Sequence, residues 1–134
     1  MIRFRPAILS LGLLVCSTLS VAHTDAVLDK EPSPHGGIVR MAGAYHLELV
    51  LEHKAAKVYV TDHAGKPVAT RQARGQITLL GDRKTSVALQ PSAGNLLTAP
   101  LDLQPQGRIK AAVVSVSLDG KHTEQARFSN VPVR

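Results

Sequence analysis

The sequence predicts an all-β domain, a small antiparallel β-sandwich with an immunoglobulin-like outline, and three observations support this class. Apolar and polar residues alternate at period 2 along several segments, which is the spacing of half-buried strands. Turn-forming residues recur about every 8–12 residues, as they do between the short strands of a sandwich. No segment carries a convincing amphipathic helical stripe. We therefore expect roughly seven or eight antiparallel strands in two packed sheets.

The first element, residues 1–22, has the pattern of a secretory signal peptide. Arg3 and Arg5 supply the positively charged start, and the apolar run at residues 7–15 is too short to span a bilayer. Ser20 and Ala22 place small residues where a signal peptidase makes its contacts. We therefore expect a periplasmic protein whose mature form does not span the membrane.

The cleavage position decides which residue begins the mature chain. A cut after Ala22 makes His23 the N-terminus, and a cut after Ala26 is the second choice. A lipoprotein leader is a third alternative, because Cys16 follows an apolar run, although Val15 is bulkier than that pattern favours. Cleavage after Ala22 removes the one Cys of the sequence, so the exported domain would have neither a disulfide nor a thiolate ligand.

The remaining elements are a flexible lead at residues 23–34, with prolines near its end, and a domain at residues 35–134. The clearest strand places Tyr45, Leu47, Leu49 and Leu51 on one face and His46, Glu48, Val50 and Glu52 on the other. Further strands are predicted at residues 57–61, 75–80, 84–90, 96–100 and 108–118, with a last strand through Phe128.

Turns and an aliphatic core complete the predicted sandwich. A turn is expected at residues 62–67, and Asp119-Gly120 is a strong hairpin signal. Aliphatic residues on the inward positions of the strands should build the core, together with a single aromatic ring. They are Leu47, Leu49, Leu51, Val58, Val60, Ile77, Leu79, Val87, Leu89, Val114, Val116 and Phe128.

Composition excludes several classes of function. The 134 residues carry a net charge of +6 and only 3% aromatic residues, and their basic side chains are scattered rather than clustered. Nucleic-acid binding is therefore not expected. The sequence has no Gly-x-Ser-x-Gly elbow, no His-Glu-x-x-His pair and no P-loop, so we do not expect an enzyme.

Six histidines stand out in a chain that has only two Tyr and two Phe. Neutral imidazole suits copper and zinc, and it titrates near pH ~6.5, so the histidines predict a metal-binding function. Carboxylates next to histidines in the strand pattern extend the candidate set. The predicted ligands are His23, His35, His46, Glu48, Asp119 and His122.

Each candidate ligand has its own argument and a plainer alternative. A free N-terminal His23 would offer Cu(II) both its amine and its ring, and the alternative is a frayed polar terminus left by the signal peptidase. His35 precedes two glycines and is expected on an exposed turn leading into the first strand. His46 and Glu48 alternate onto one strand face, which would otherwise be a solvated polar face. Asp119 and His122 flank a hairpin that needs no ligand to form.

Three segments resemble a known family: HGG at residues 35–37, YHLELV at 45–50 and VYVTDHAGKPV at 58–68. They resemble the N-terminal β-domain of periplasmic adaptor subunits from heavy-metal RND efflux systems, and small standalone periplasmic proteins that share this domain. The resemblance covers most of residues 34–128. It implies periplasmic handling of ions such as copper or zinc. The long α-hairpin and lipoyl-like domain of a complete adaptor are absent, so the chain is not expected to bridge a pump to a channel alone.

A second, weaker resemblance is to the periplasmic copper-resistance carriers, which are small β-sandwiches. Their mature chains begin with a His that ligates Cu(II), and they carry Asp-x-His in a late hairpin. His23, Asp119 and His122 occupy comparable places, with one extra residue between the Asp and the His. This resemblance implies a copper ligand set at those positions.

Together these observations predict a non-catalytic periplasmic accessory protein that binds, buffers or delivers copper- or zinc-type ions to a heavy-metal efflux component. The alternative is a metal-free interaction module that docks on an envelope partner through an edge strand. Two imidazoles within roughly 8 Å of each other would favour the metal-binding function, and scattered histidines would favour the alternative.

Overall fold

The computed structural model describes residues 25–30 and 32–134. The predicted signal peptide at residues 1–22, together with Cys16 and the candidate ligand His23, lies outside the described residues.

The described chain contains one short helix followed by eight strands. The helix α1 spans Asp25–Leu28. The strands are β1 (Ile38–Ala42), β2 (Tyr45–Glu52), β3 (Ala55–Asp62), β4 (Arg74–Leu80), β5 (Lys84–Pro91), β6 (Leu96–Pro100), β7 (Arg108–Ser117) and β8 (Glu124–Pro132). The predicted all-β class is confirmed, and the predicted strands lie within one or two residues of the observed ones. The sequence pattern did not define β1, because its residues do not alternate in polarity.

The strands form a single antiparallel sheet in the order β1-β2-β3-β6-β5-β4-β7-β8. Its two halves are joined where Gln90 and Pro91 of β5 pair with Thr98 and Leu97 of β6. The outer strands β1 and β8 contact each other, and a parallel bridge links Leu51 to Val133. The sheet is therefore nearly closed into a barrel.

The core lies inside this rolled sheet. Leu47, Leu49 and Leu51 of β2 face inward, as predicted, together with the aliphatic residues of β3, β4 and β7 and the ring of Phe128. Of the twelve predicted core residues, only Val87 is half-buried and packs against the edge of the cluster. Burial of an aliphatic side chain contributes about 1.5–3 kcal/mol, so this core supplies most of the stability of a domain of this kind.

A reversal of side-chain alternation in β8 completes the closure. Ala126 and Phe128 are buried at even positions, whereas Val131 and Val133 are buried at odd positions. Asn130 lies between them with φ 54°, in the left-handed region that Asn tolerates better than most residues. The turn of the backbone at Asn130 lets both ends of β8 bury apolar side chains, and the second end reaches β2.

The predicted lead contains regular structure at residues 25–28. α1 packs against β1, and Leu28 is buried. Arg40 of β1 fixes the helix, because its guanidinium lies 2.7 Å from Asp29 and 3.7 Å from Asp25. No helix among the described residues is long and apolar enough to cross a membrane.

Candidate functional site

A buried carboxylate holds His35 against the sheet. The Nδ1 atom of His35 lies 2.8 Å from Oε2 of Glu48, and the backbone N–H groups of His35 and Gly37 donate to Oε1 at 2.9 Å. The Glu48 side chain is only 6% exposed, whereas that of His35 is 42% exposed. The alternative of a solvated polar face is therefore wrong for Glu48, because the segment around His35 covers it.

The His35 ring is fixed on both an edge and a face. It stacks in parallel on Tyr59, with centroids 3.5 Å apart and an interplanar angle of 1°. When Nδ1 donates its proton to Glu48, Nε2 carries the lone pair. A carboxylate that orients a histidine in this way is a common support for a metal ligand. Gly37 allows the close approach, since a Cβ there would collide with the carbonyl oxygen of Leu49.

Two further imidazoles lie together near the start of β2, where His46, two residues before Glu48, meets His63. His46 is buried, and its ring stacks on that of His63 with centroids 5.1 Å apart and an interplanar angle of 26°. His63 is exposed in the turn after β3, where its Nε2 donates to the carbonyl oxygen of Gly43 at 3.2 Å. The Asp62 carboxylate shapes this turn by accepting hydrogen bonds from the backbone N–H groups of Ala64 and Lys66.

The two ring pairs share one outer surface of the sheet, which we call the histidine face. Glu48 is opposite Tyr59 in the β2–β3 register, and His46 follows Glu48 in the direction of the turn that holds His63. Residues two apart on a strand point to the same side, about 7 Å from each other. The histidine face comprises His35, His46, Glu48, Tyr59 and His63.

The candidates on the β7–β8 hairpin form a separate pair. His122 Nδ1 lies 2.7 Å from Oδ2 of Asp119, and both side chains are largely exposed. Oδ1 of Asp119 accepts hydrogen bonds from the backbone N–H groups of Lys121 and His122. Gly120 adopts φ 72° at the tip of this hairpin. The pair therefore closes its own turn.

The ionisation of this hairpin pair follows from its contacts. The backbone hydrogen bond from His122, then the side-chain bond to the same residue and the backbone bond from Lys121, hold the pKa of Asp119 far below its usual range. The hydrogen bond to Asp119, followed by its negative charge, raises the pKa of His122 above 6.5. Because the pKa of His122 is raised, a metal must displace a proton from this ring over a wider pH range than from a free imidazole.

The predicted ligand set does not converge on one point. The structure brings together His35 and Glu48, with His46 beside them, and separately Asp119 and His122. Among residues 25–30 and 32–134, no three His, Cys, Asp or Glu side chains are placed so that they could hold one ion. His53 lies apart from these groups and donates from Nδ1 to the carbonyl oxygen of Leu103.

Sequence reasoning underrated two members of the histidine face, His63 and Tyr59. The sequence placed His63 only within the turn expected at residues 62–67. The β2–β3 pairing could have indicated the position of His63. It puts Thr61 opposite His46, so His63, two residues further along, lies near the His46 ring. Tyr59 shares the outward face of β3 with Lys57 and Thr61, and it is opposite Glu48, so both lie on the same side of the sheet.

Comparison with known proteins yields no relative for this chain. No protein-family model matches it, and neither does any curated protein or solved structure.

Proposed function

We propose that this protein is a periplasmic accessory protein that binds copper- or zinc-type ions and buffers them or delivers them to a heavy-metal efflux component, without catalysing a reaction. The histidine face carries this proposal, because it gathers three imidazoles on one side of the sheet. The periplasmic setting and the efflux partner rest on the leader pattern and on the family resemblance of residues 34–128.

The arrangement of His35 supports metal binding more strongly than an exposed histidine would. Glu48 fixes the tautomer, and Tyr59 fixes the plane of the ring, so little ring freedom would be lost when Nε2 binds an ion. Because the Glu48 oxygens already accept three hydrogen bonds from His35 and Gly37, the carboxylate acts as an orienting group rather than as a ligand.

Exposure of the same face supports exchange of the ion rather than permanent storage. His35 and His63 are both exposed, so an ion bound by either one remains within reach of water or of a partner protein. A closed structural metal site would instead surround the ion with four protein ligands. Buffering and delivery require the open arrangement.

Equilibrium titration with Zn(II) and Cu(II) tests the proposal. The full chain should carry Cys16→Ser, so that a thiolate cannot contribute. We expect saturable binding, weakened about tenfold or more by His35→Ala and less by Glu48→Gln, in line with the effect of removing a ligand or its support. The matched control His53→Ala should leave affinity unchanged. Binding no tighter than the millimolar range would contradict the proposal.

A second candidate function is a metal-free interaction module, which the edge of β5 favours. Residues 84–89 pair with β4 on one side, while the pairing of β5 with β6 involves only Gln90 and Pro91. Within the described part of the chain this leaves a strand edge to which a partner strand could be added. In this case the Cys16→Ser chain would bind neither Zn(II) nor Cu(II) in the titration above.

A further inference from the structure

We propose that Met41, His46 and His63 form a binding site for Cu(I), with a thioether and two imidazoles as ligands. This inference rests on the proposed function and deepens it, because it names the oxidation state of the metal and a ligand set that includes neither His35 nor a carboxylate.

The register of the sheet places the thioether next to the imidazole pair. Met41 of β1 is directly opposite His46 of β2. Side chains at directly opposite positions lie on the same face, with Cβ atoms about 5 Å apart. Met41 is half-buried, and its unbranched side chain has three rotatable bonds, so its sulfur can adjust to a neighbour across the strand pair.

The spacing of the two rings is that of imidazoles sharing one ion. A metal–nitrogen bond of about 2.0–2.1 Å and tetrahedral angles place the centroids of two ligating imidazoles about 5 Å apart. The centroids of His46 and His63 are 5.1 Å apart. For both rings to direct a nitrogen at one ion, they would have to turn from the present stacked arrangement, in which their planes are 26° apart. Because Nε2 of His63 donates to the carbonyl oxygen of Gly43, Nδ1 is the ring nitrogen that would bind an ion while this hydrogen bond is kept.

The donor set selects the metal. Soft thioether sulfur favours Cu(I), whereas zinc sites are built from imidazole, thiolate and carboxylate. Among the described residues, His, Asp and Glu side chains form no group of three that could hold an ion. The register of β1 and β2 places a soft donor, the sulfur of Met41, beside this imidazole pair.

The burial of His46 also favours Cu(I) as the bound ion. His46 is only 6% exposed and lies beneath His63, which is at the surface. An ion between them would be sheltered from water on the β2 side and would enter past His63. Low coordination number and partial exclusion of water both favour retention of the reduced ion.

Competition for Cu(I) against a chromogenic chelator such as bicinchoninate, under anaerobic reducing conditions, tests the inference. The full chain carrying Cys16→Ser should bind one Cu(I), and Met41→Leu should weaken that binding at least tenfold. The same substitution should leave the Zn(II) affinity unchanged, since leucine preserves the volume and removes only the sulfur. His63→Ala should weaken Cu(I) binding as well, and His122→Ala should not.

A second measurement does not depend on how the variants fold. In the chain labelled with ¹³C at the Met methyl groups, the redox-inert ion Ag(I) should shift the Met41 methyl resonance, which Met41→Leu assigns by its disappearance. An unshifted Met41 methyl, or a Cu(I) affinity within twofold in Met41→Leu, would overturn this inference while leaving the proposed function in place if Zn(II) and Cu(II) still bind. Failure of all these ions to bind would overturn both.

Discussion

Two histidine–carboxylate pairs of nearly equal length occupy very different surroundings in this protein. His35 and Glu48 are 2.8 Å apart, and His122 and Asp119 are 2.7 Å apart. The carboxylate of Glu48 is 6% exposed and comes from another part of the chain, whereas that of Asp119 is 49% exposed and lies three residues from its partner.

The difference shows that a short distance does not by itself define a candidate site. The hairpin pair forms within one turn and is surrounded by water, so it costs little and organises only that turn. The pair on the histidine face needs β2, β3 and the segment around Gly37 to come together. Within residues 25–30 and 32–134, it is only there that the fold places further imidazoles beside the pair.

Replacing Glu48 or Asp119 by alanine should reveal the largest difference between the two pairs, in the free energy of unfolding. Glu48→Ala leaves two backbone N–H groups and one ring nitrogen without their acceptor, and should lower the free energy of unfolding by about 2–4 kcal/mol. Asp119→Ala should have a much smaller effect, because water can replace the lost acceptor. Urea denaturation followed by far-UV circular dichroism measures both.

Glu48→Gln provides the matched control for this experiment. It keeps an acceptor for the two backbone N–H groups and should recover part of the lost stability. Equal destabilisation by Glu48→Ala and Asp119→Ala would contradict the distinction between the two pairs.

A smaller effect is expected on the titration of His122. Its pKa should lie above 6.5 in the folded protein and should fall back toward 6.5 in Asp119→Asn, because the hydrogen bond and then the charge of Asp119 raise it. NMR titration of the imidazole C–H resonances measures both values. An unchanged His122 pKa in Asp119→Asn would show that this pair does not form in solution.

The corresponding dependence of stability on pH has a definite sign. Since the folded-state pKa of His122 is raised, its stabilising contribution is complete below pH 6.5 and is lost as the pH rises through the folded-state value. For Asp119 the folded-state pKa is lowered, so its contribution is present above 3.8 and is lost as the pH falls toward the folded-state value.

Period-2 patterning was sufficient to predict most of the strands, because a strand with one buried face alternates apolar and polar residues along its sequence. β2 shows where this fails, since its outward residues His46, Glu48 and Val50 are buried as well. Their burial depends on which distant segments pack on the outer face of β2, and the polarity pattern of the strand itself does not reveal those segments. The left-handed turn at Asn130 was equally beyond pattern analysis, because it follows from closure of the sheet.

The candidate site was predicted only in part for a related reason. Sequence reasoning selected His35, His46 and Glu48, because residue type and alternation made them good ligands or supports. It could not rank them above Asp119 and His122, since both pairs look alike until burial is known. His63 needed the β2–β3 register, and Met41 needed the β1–β2 register, to be placed beside His46.

The proposed function depends on metal binding at the histidine face, and imidazole ¹⁵N spectroscopy during a Zn(II) titration of the Cys16→Ser chain shows which histidines bind the ion. We expect the first equivalent to perturb ring nitrogens of His35, His46 or His63, while those of His53 and His122 stay unchanged. Earlier perturbation of His122 or His53, or simultaneous weak perturbation of every histidine, would contradict the claim.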